Sequence, residues 1–285
     1  MPSRRGVADV QRPSPLNVHT IQSHLGTQSL GRRIELHERL ESTNREAVAL
    51  GQAGVEHGTL VLADAQTAGR GRMARSWFSP PGVNLYGSLV IRPTIDPLRL
   101  AAWLSWLPLM AALGAAEAID IAGAVPIAVK WPNDLLINER KVGGILCESG
   151  ASAGAGPFQV IGIGINVNGV PEDFPDELRH IATTIRHETG GFIDRNRLAA
   201  QLLIELESCL EEFLSRGSEL IAFAYRRRCT TIGKTVKAVL ADGKTYIGVA
   251  DAIEQDGSLT LVQPSLGTSP PTVRQLRAAD IVHLR

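Results

Sequence analysis

Cysteine is scarce in this sequence and net charge is absent, and both facts limit the kind of protein it encodes. Only three cysteines occur in 285 residues, at positions 147, 209 and 229, without the spacing of a metal site. This usage is typical of reduced thiols in a cytosolic protein. Lysine plus arginine and aspartate plus glutamate number 29 each. No overall charge therefore draws the chain to nucleic acid or to an anionic membrane.

Long apolar runs are also missing, with one segment close to the limit. Residues 100–116 carry no formal charge, but Pro108 and Gly114 interrupt them. A membrane span needs about 20 predominantly apolar residues. We therefore expect a buried core helix, kinked or restarted near Pro108, and no membrane association.

The first thirty residues lack an apolar core segment, so no signal peptide is expected. They mix Pro, Ser, Arg, His and Gln without periodicity, which favours a largely disordered extension over residues 1–30. A winged helix-turn-helix domain would not fit into this length.

Hydrophobic periodicity predicts a chain that alternates between strands and helices before its last fifty residues. A capping box of Thr43 and Glu46 is expected to open the first helix, and Asp194 and Gly217 to bound the longest one. The helices are expected at 44–52, 100–116, 195–214 and 219–228, and the strands at 33–40, 59–65, 84–91, 127–131, 134–138, 142–148 and 158–167. Residues 150–156 are expected to form a surface turn.

From about Gly233 the pattern changes to short strands, expected at 234–240, 245–252, 258–262 and 272–276. Asp242-Gly243 and Asp256-Gly257 are hairpin-turn signals. This pattern predicts a small five-stranded barrel of the SH3 type. The expected organisation is an extension over 1–30, a catalytic domain over 31–230 and the barrel over 231–285.

Gln66 to Pro81 is the stretch with the clearest chemistry. It has no helical or strand periodicity, so it is predicted to be a loop. Gly69 and Gly71 permit backbone conformations closed to other residues and let backbone N–H groups approach a ligand. Arg70, Arg72 and Arg75 supply planar donors suited to carboxylate and phosphate. A solvated basic loop, or a nonspecific nucleic-acid contact, is the alternative that this stretch alone leaves open.

Four further stretches carry polar residues at strand or helix ends. They are Glu41-Ser42-Thr43-Asn44, Lys130-Trp131-Pro132-Asn133-Asp134, Lys141-Val142-Gly143-Gly144-Ile145-Leu146-Cys147-Glu148 and Gly162-Ile163-Gly164-Ile165-Asn166. Each alone has an ordinary structural explanation: a helix cap, a turn amide or a packing glycine. In this order and spacing, together with Gly-Arg-Gly-Arg, they resemble the biotin–protein ligases over roughly residues 36–285.

The resemblance implies a fold and an assignment of site residues. The fold is α+β, a mixed sheet flanked by helices and related to class II aminoacyl-tRNA synthetases, with the small barrel at its C-terminal end. The residues implied to bind biotin and its carboxylate are Ser42, Thr43, Asn44, Gln66, Arg70, Gly71, Arg72, Lys141 and Gly144. Those implied to bind ATP or the adenylate are Arg75, Trp77, Lys130, Asn133, Asp134 and Asn166. The implied catalytic residues are Lys141, Arg70 and Arg72.

The implied reaction uses ATP and Mg²⁺ to convert biotin to biotinyl-5′-AMP. The biotinyl group then passes to a lysine of the biotin carboxyl carrier domain of an acyl-CoA or pyruvate carboxylase in the cytoplasm. The Mg²⁺ ligands are not evident. Two departures stand out. Ala74 replaces a glycine that is common in the family's loop, which affects the expected mobility of the loop. The DNA-binding domain of bifunctional members is missing, so repression is not expected.

Two alternatives are weaker. A lipoate–protein ligase shares the fold and the adenylation chemistry, but its usual Arg-Arg…Gly-Gly-Gly pattern followed by His-Asp is missing. A nucleic-acid-binding regulator would use the arginine loop and the barrel, but the zero net charge argues against it.

Overall fold

The computed structural model describes residues 13–264 and 270–284. Its helices are α1 (Val18–Ser23), α2 (Thr43–Gln52), α3 (Leu100–Gly123), α4 (Ile185–Thr189), α5 (Arg195–Arg216) and α6 (Glu219–Arg228). Its first seven strands are β1 (Ile34–Leu40), β2 (Leu60–Gln66), β3 (Leu85–Ile91), β4 (Ala128–Lys130), β5 (Asp134–Ile137), β6 (Arg140–Ser152) and β7 (Gly156–Ile165). Five more follow: β8 (Thr235–Val239), β9 (Thr245–Ile253), β10 (Leu259–Gln263), β11 (Thr272–Leu276) and β12 (Asp280–His283).

Strands β1 to β7 form one mixed sheet in the order β1-β2-β3-β7-β6-β5-β4. Only β1 and β2 pair in parallel; the other neighbours are antiparallel. Helix α2 covers one face over a small core of Ala47, Val61, Val90, Phe158 and Val160. The opposite face carries the main core and is covered by α3 and α5. The expected mixed sheet flanked by helices is confirmed.

Helix α3 runs through Pro108 as one helix, so of the two expected alternatives, a kink or a restart, the restart is wrong. Trp103 and Trp106 are fully buried, and the Trp103 ring meets Phe213 of α5 edge-on with centroids 5.6 Å apart. By length and composition alone, Pro97–Gly123 could cross a membrane. Its burial against α5 instead makes it the core helix that the sequence predicts.

Strands β8 to β12 form a separate antiparallel sheet in the order β11-β10-β9-β8-β12. Gly243 and Gly257 have φ of 82° and 79°, as the two predicted turns require. The last strand, β12, was not predicted, because 280–283 is too short for a periodic signal. The indole N–H groups of Trp106 and Trp131 donate to Gln255 O and Gly257 O, at 2.8 and 3.2 Å, and join this sheet to the main core.

The predicted disorder of residues 1–30 is wrong for the part that the structure describes, and residues 1–12 lie outside the described residues. Leu16, Ile21 and Leu30 are buried in the main core. The Glu207 carboxylate of α5 accepts the backbone N–H groups of residues 28, 29 and 30 at 2.5, 2.7 and 2.9 Å. Sequence periodicity missed this packing because the anchoring apolar residues are widely spaced and the carboxylate is remote in the chain.

Two local expectations need correction. No capping box opens α2: the N-cap is Ser42, whose side chain makes no capping hydrogen bond, and the Thr43 hydroxyl turns to Gln66. Residues 150–156 are not wholly a turn, because β6 extends to Ser152 and β7 begins at Gly156. The Asp194 cap and the Gly217 end of α5 are both confirmed.

Candidate active site

A chain of buried polar side chains lies where α2 begins beside β2 and β3. The Thr43 backbone N–H and hydroxyl donate to Gln66 Oε1 at 2.9 and 3.2 Å. Gln66 Nε2 donates in turn to Ser79 Oγ at 2.9 Å, and Ser79 Oγ donates to Trp77 O at 3.1 Å. Ser42 is buried beside them. These bonds fix both ends of the Gln66 amide, so they make a rigid, uncharged pocket wall.

Asn44 links this wall to the arginine loop. Its Oδ1 accepts the Ser88 hydroxyl at 2.6 Å, and its Nδ2 donates to Leu146 O at 3.1 Å and Glu148 Oε2 at 2.9 Å. Any Cβ on Gly162 would lie 1.8 Å from Asn44 Oδ1. Gly162 is therefore a glycine because the Asn44 amide occupies the space above it.

The three loop arginines reach three different partners. Arg70 forms an ion pair with Glu148 at 2.9 Å. Arg75 forms one with Asp280 of β12, with Nη1 3.0 Å from Oδ1, and this hydrogen bonding raises the pKa of Arg75.

Arg72 instead donates to two neutral acceptors, Asn133 Oδ1 at 2.9 Å and Ala279 O at 3.3 Å. Burial lowers its pKa, against the nearby charges of Asp134 and Asp280. Arg72 is thus a desolvated cation whose carboxylate neighbours are engaged elsewhere.

The loop's left-handed backbone conformations lie at Met73 and Ala74 and not at the two glycines that would permit them. Met73 and Ala74 have φ of 53° and 58°, whereas Gly69 and Gly71 do not have positive φ. Gly69 is needed for space, because a Cβ there would lie 2.6 Å from Trp77 O. Ala74, the departure from the family pattern, occupies the left-handed region that glycine would enter at lower cost.

Lys141 lies at the centre of the site. Its Nζ is 2.5 Å from Asp134 Oδ1 and 5.4 Å from the centre of the Trp77 ring. The indole of Trp77 lies over Gly164, where a Cβ would be 2.7 Å from the ring, and beside Gly144. Its buried Nε1 has no hydrogen-bond partner among the described residues. The indole therefore forms part of the cavity wall above the two glycine-containing strands.

Asn133 and Asn166 border the same space from strand ends. A cis Trp131–Pro132 bond precedes Asn133, whose Nδ2 donates to Ile145 O at 2.7 Å. Asn166 follows β7, and its Nδ2 donates to Thr183 O at 3.1 Å. Both amides are buried and held in fixed orientations.

All fifteen residues that the resemblance implies to bind biotin or ATP, from Ser42 to Asn166, line one cavity of about 920 Å³. Its wall contains six cations and three carboxylates, so it is electropositive within a chain of zero net charge. The cations are Arg70, Arg72, Arg75, Lys130, Lys141 and Lys234, and the carboxylates are Asp134, Glu139 and Asp280. Among the described residues, Arg72 and Lys130 have no carboxylate within 4.0 Å.

The cavity wall also contains residues that sequence reasoning did not assign. Phe174 stacks against Phe78 at 6.0 Å, and Leu178 and Ile181 follow it along the rim. Lys234, Asp280 and His283 come from the second sheet. No local signal identifies these three, because only tertiary packing brings the second sheet to the cavity. Glu148 and Ser88 form hydrogen bonds with site residues but do not line the cavity. Of the two, Glu148 belongs to the sequence motif that begins at Lys141.

Comparison with known proteins gives consistent matches. The profile of the biotin/lipoate A/B protein ligase family matches residues 36–168. The chain is 34% identical over 282 residues to the biotin–[acetyl-CoA-carboxylase] ligase of Mycobacterium tuberculosis, covering 97% of this chain and 98% of that protein. It is 37% identical over 278 residues to the bifunctional ligase/repressor BirA of Bacillus subtilis, covering 98% of this chain and 82% of the relative.

Among solved structures, the biotin protein ligase from Aquifex aeolicus in complex with biotin and ATP superposes with a TM-score of 0.72 at 27% identity. The match covers 89% of this chain and 99% of that one. The fold and the matches define a protein ligase of the biotin and lipoate class, so the chain is an enzyme. More particularly, the chain belongs to the biotin–protein ligase family, because its matches cover nearly the full length of biotin–[acetyl-CoA-carboxylase] ligases.

Proposed function

We propose that this enzyme activates biotin with ATP as biotinyl-5′-AMP and transfers the biotinyl group to a lysine of a biotin carboxyl carrier domain. The relatives named for acetyl-CoA carboxylase support that class of acceptor. The observation that carries the proposal is the single cavity. At the end of the cavity beside α2 the wall is uncharged and polar, with Thr43 and Gln66 joined by hydrogen bonds, and elsewhere six cations and three carboxylates line it.

The uncharged end suits the biotin ring system, which is neutral and rich in hydrogen-bonding groups. The proposed residues for biotin and its carboxylate are Ser42, Thr43, Asn44, Gln66, Arg70, Gly71, Arg72, Lys141 and Gly144, of which the three cations suit the carboxylate. Within this set, Thr43 and Gln66 are already held by each other, so they present fixed donors and acceptors. Such preorganisation lowers the entropy lost on binding.

The charged end suits ATP. The proposed ATP and adenylate residues are Arg75, Trp77, Lys130, Asn133, Asp134 and Asn166. Trp77 would cover the adenylate, which would give its buried Nε1 a possible acceptor. Asn133 and Asn166 would bind the adenine, and Asp134 would hold Lys141 in place.

In the first step, a carboxylate oxygen of biotin bonds to the α-phosphorus and the bond to the bridging oxygen breaks, so pyrophosphate leaves. Two anions must approach each other, and the repulsion is large in a site shielded from water. Lys141, Arg70 and Arg72 offset it and follow the charge that develops on the α-phosphoryl group. Arg72 suits this role because its charge is already desolvated and bonded only to neutral acceptors.

Mg²⁺ would enter with the phosphates of ATP and neutralise part of their charge. Among the described residues no three His, Cys, Asp or Glu side chains cluster to hold a metal ion. Mg²⁺ commonly binds through one or two carboxylates plus substrate phosphates. Asp134 and Asp280 line the cavity and could supply these.

In the second step, the neutral lysine amine of the carrier attacks the anhydride carbonyl, the C–O bond to AMP breaks, and the amine loses a proton. This step requires positioning and exclusion of water rather than new charge. We further propose that residues 31–230 form a catalytic domain related to class II synthetases, that 231–285 form an SH3-like barrel, and that the enzyme is cytoplasmic. DNA binding is not part of the proposal.

The experiment is exchange of labelled pyrophosphate into ATP, followed by labelling of a purified carrier domain. Exchange that requires biotin and is not supported by lipoate is the expected result. Lipoate-dependent exchange would favour the lipoate–protein ligase alternative. No exchange with either acid would contradict adenylation altogether.

A further inference from the structure

The second sheet contributes charge to the cavity at a point that the reaction described above leaves unused. Lys234, just before β8, and His283, at the end of β12, both line the cavity. Neither belongs to a motif of the first sheet. Their neighbour on the first sheet is Lys130 at the end of β4.

The backbone brings these three residues together. Val129 of β4 bridges to Cys229 in parallel, and the Trp131 N–H donates to Thr231 Oγ1 at 3.0 Å. His283 Nε2 lies 3.3 Å from the same hydroxyl. The β8–β12 register pairs Val236 with His283, which places Lys234 beside that end of β12.

The effect of both lysine charges on His283 also indicates that the three side chains lie close together. Burial first, and then the charges of Lys130 and Lys234, lower the pKa of His283 to about 4. The imidazole is therefore neutral at neutral pH, since burial and the two nearby ammonium charges both disfavour its protonated form. Burial also lowers the pKa of Lys130, against the charges of Asp134 and Asp280.

Neither lysine is firmly paired. Among the described residues Lys130 has no carboxylate within 4.0 Å. Lys234 reaches Glu139 Oε1 only at 3.4 Å, and the Glu139 side chain is 84% exposed. An exposed pair of this kind contributes little and is readily exchanged for a stronger anion.

These cations continue the row that begins at Lys141. Lys141 is paired with Asp134, and Asp134 lies directly opposite Lys130 across the β4–β5 ladder. Residues opposite each other in a ladder project to the same face. The order from the centre of the site toward the second sheet is therefore Lys141, Lys130 and Lys234.

We infer that Lys130 and Lys234, with His283 beside them, bind the terminal phosphates of ATP and the pyrophosphate that leaves. This rests on the proposed function, which places the α-phosphate at Lys141. A linear triphosphate that begins at Lys141 extends along this row of cations. The second sheet thus binds the leaving group rather than biotin.

The test compares Lys234→Met with Lys237→Met, a matched change at an exposed lysine of β8 that does not line the cavity. Lys234→Met is expected to raise the KM for ATP and the inhibition constant for pyrophosphate roughly five- to tenfold, since one charge-assisted contact is lost. Titration with inorganic pyrophosphate and Mg²⁺ should show the same weakening without turnover. Biotin affinity and transfer from pre-made biotinyl-AMP should not change.

Lys237→Met is expected to match the wild type throughout, and Lys234→Arg to keep most of the pyrophosphate affinity. If the wild type exchanges pyrophosphate normally and Lys234→Met is indistinguishable from Lys237→Met, the inference is wrong while the proposed function stands. A rise in the KM for the carrier domain alone would also overturn it, because Lys234 would then contact the acceptor. Absence of exchange in the wild type would instead contradict the proposed function.

Discussion

At the scale of single residues, the site contains ion pairs between its own side chains. A bound polyanion would take the place of the carboxylate in each pair. Arg70 pairs with Glu148, Arg75 with Asp280 and Lys141 with Asp134. Each carboxylate holds a cation in position for the cavity before a ligand binds. The arrangement reduces the reorganisation needed on binding, which is the condition for strong electrostatic stabilisation.

Lys141→Ala is the sharpest single test of this arrangement. If Lys141 bridges the biotin carboxylate and the α-phosphate, adenylate formation should fall by about 10²–10³-fold. Transfer from pre-made biotinyl-AMP should survive better. Lys141→Arg should not restore adenylation fully, because a planar guanidinium cannot replace a compact ammonium packed against Trp77 and Gly144. Normal adenylation by folded Lys141→Ala would remove Lys141 from the mechanism.

Ala74→Gly tests the strain in the arginine loop. Ala74 has φ of 58°, and relieving this conformation should stabilise the protein by up to about 1 kcal/mol in urea unfolding. The matched control is Ala68→Gly in the same loop, where φ is not positive. That change only raises the conformational entropy of the unfolded chain, so it should lower the free energy of unfolding. Equal effects of the two changes would mean that Ala74 is not strained.

At the scale of elements, the structure explains which predictions the sequence could support. The Asp194 cap, the Gly217 end and the Asp-Gly turns are correct because each depends on a few adjacent residues. The capping box at Thr43 is wrong because Gln66, distant in sequence, takes the hydroxyl. The sequence does not show which requirement makes residue 69 a glycine: the reason is steric crowding by Trp77, which a local pattern does not reveal.

The packing of the N-terminal segment on α5 can be tested through Glu207. Burial raises the pKa of this carboxyl, but three backbone N–H donors outweigh burial, so the pKa lies below its ordinary value. The stabilisation is therefore complete above the unfolded-state pKa and is lost as pH falls through the folded-state pKa.

Glu207→Gln should lower the free energy of unfolding by about 1–3 kcal/mol at neutral pH. The difference from wild type should shrink as the pH approaches 3. Glu211→Gln, at an exposed position one turn further along α5, is the control and should change little. A loss for Glu207→Gln that does not depend on pH would show that the ionised form is not what holds the segment.

At the scale of the whole molecule, the site is complete only where the two sheets meet. The order and spacing of the motifs resemble those of the family. The site residues of the first sheet, from Ser42 to Asn166, could therefore be predicted from the sequence. The contributions of Lys234, Asp280 and His283 depend on how the second sheet packs through Trp106 and Trp131. Packing between sheets is a tertiary property, so no spacing in the sequence indicates it.

The three thiols provide a probe of the whole fold. Burial raises the pKa of Cys147 and of Cys209 to about 12, and it also raises the pKa of Cys229. Only the thiolate reacts with a disulfide reagent. In native protein at pH 8, far less than one thiol per chain should therefore be modified within minutes. All three should react after denaturation in guanidinium.

Cys209 is buried and Cys147 and Cys229 are partly buried. Because thiol reaction would require these groups to become more exposed to solvent, the rate in intermediate urea should follow the unfolding curve measured by tryptophan fluorescence. A Cys229→Ser variant is the control, since it removes the thiol at the boundary between the two sheets and should leave the slow reaction of the other two unchanged. If Cys147 instead reacts rapidly in native protein, β6 must open to solvent far more readily than its pairing with β5 and β7 allows.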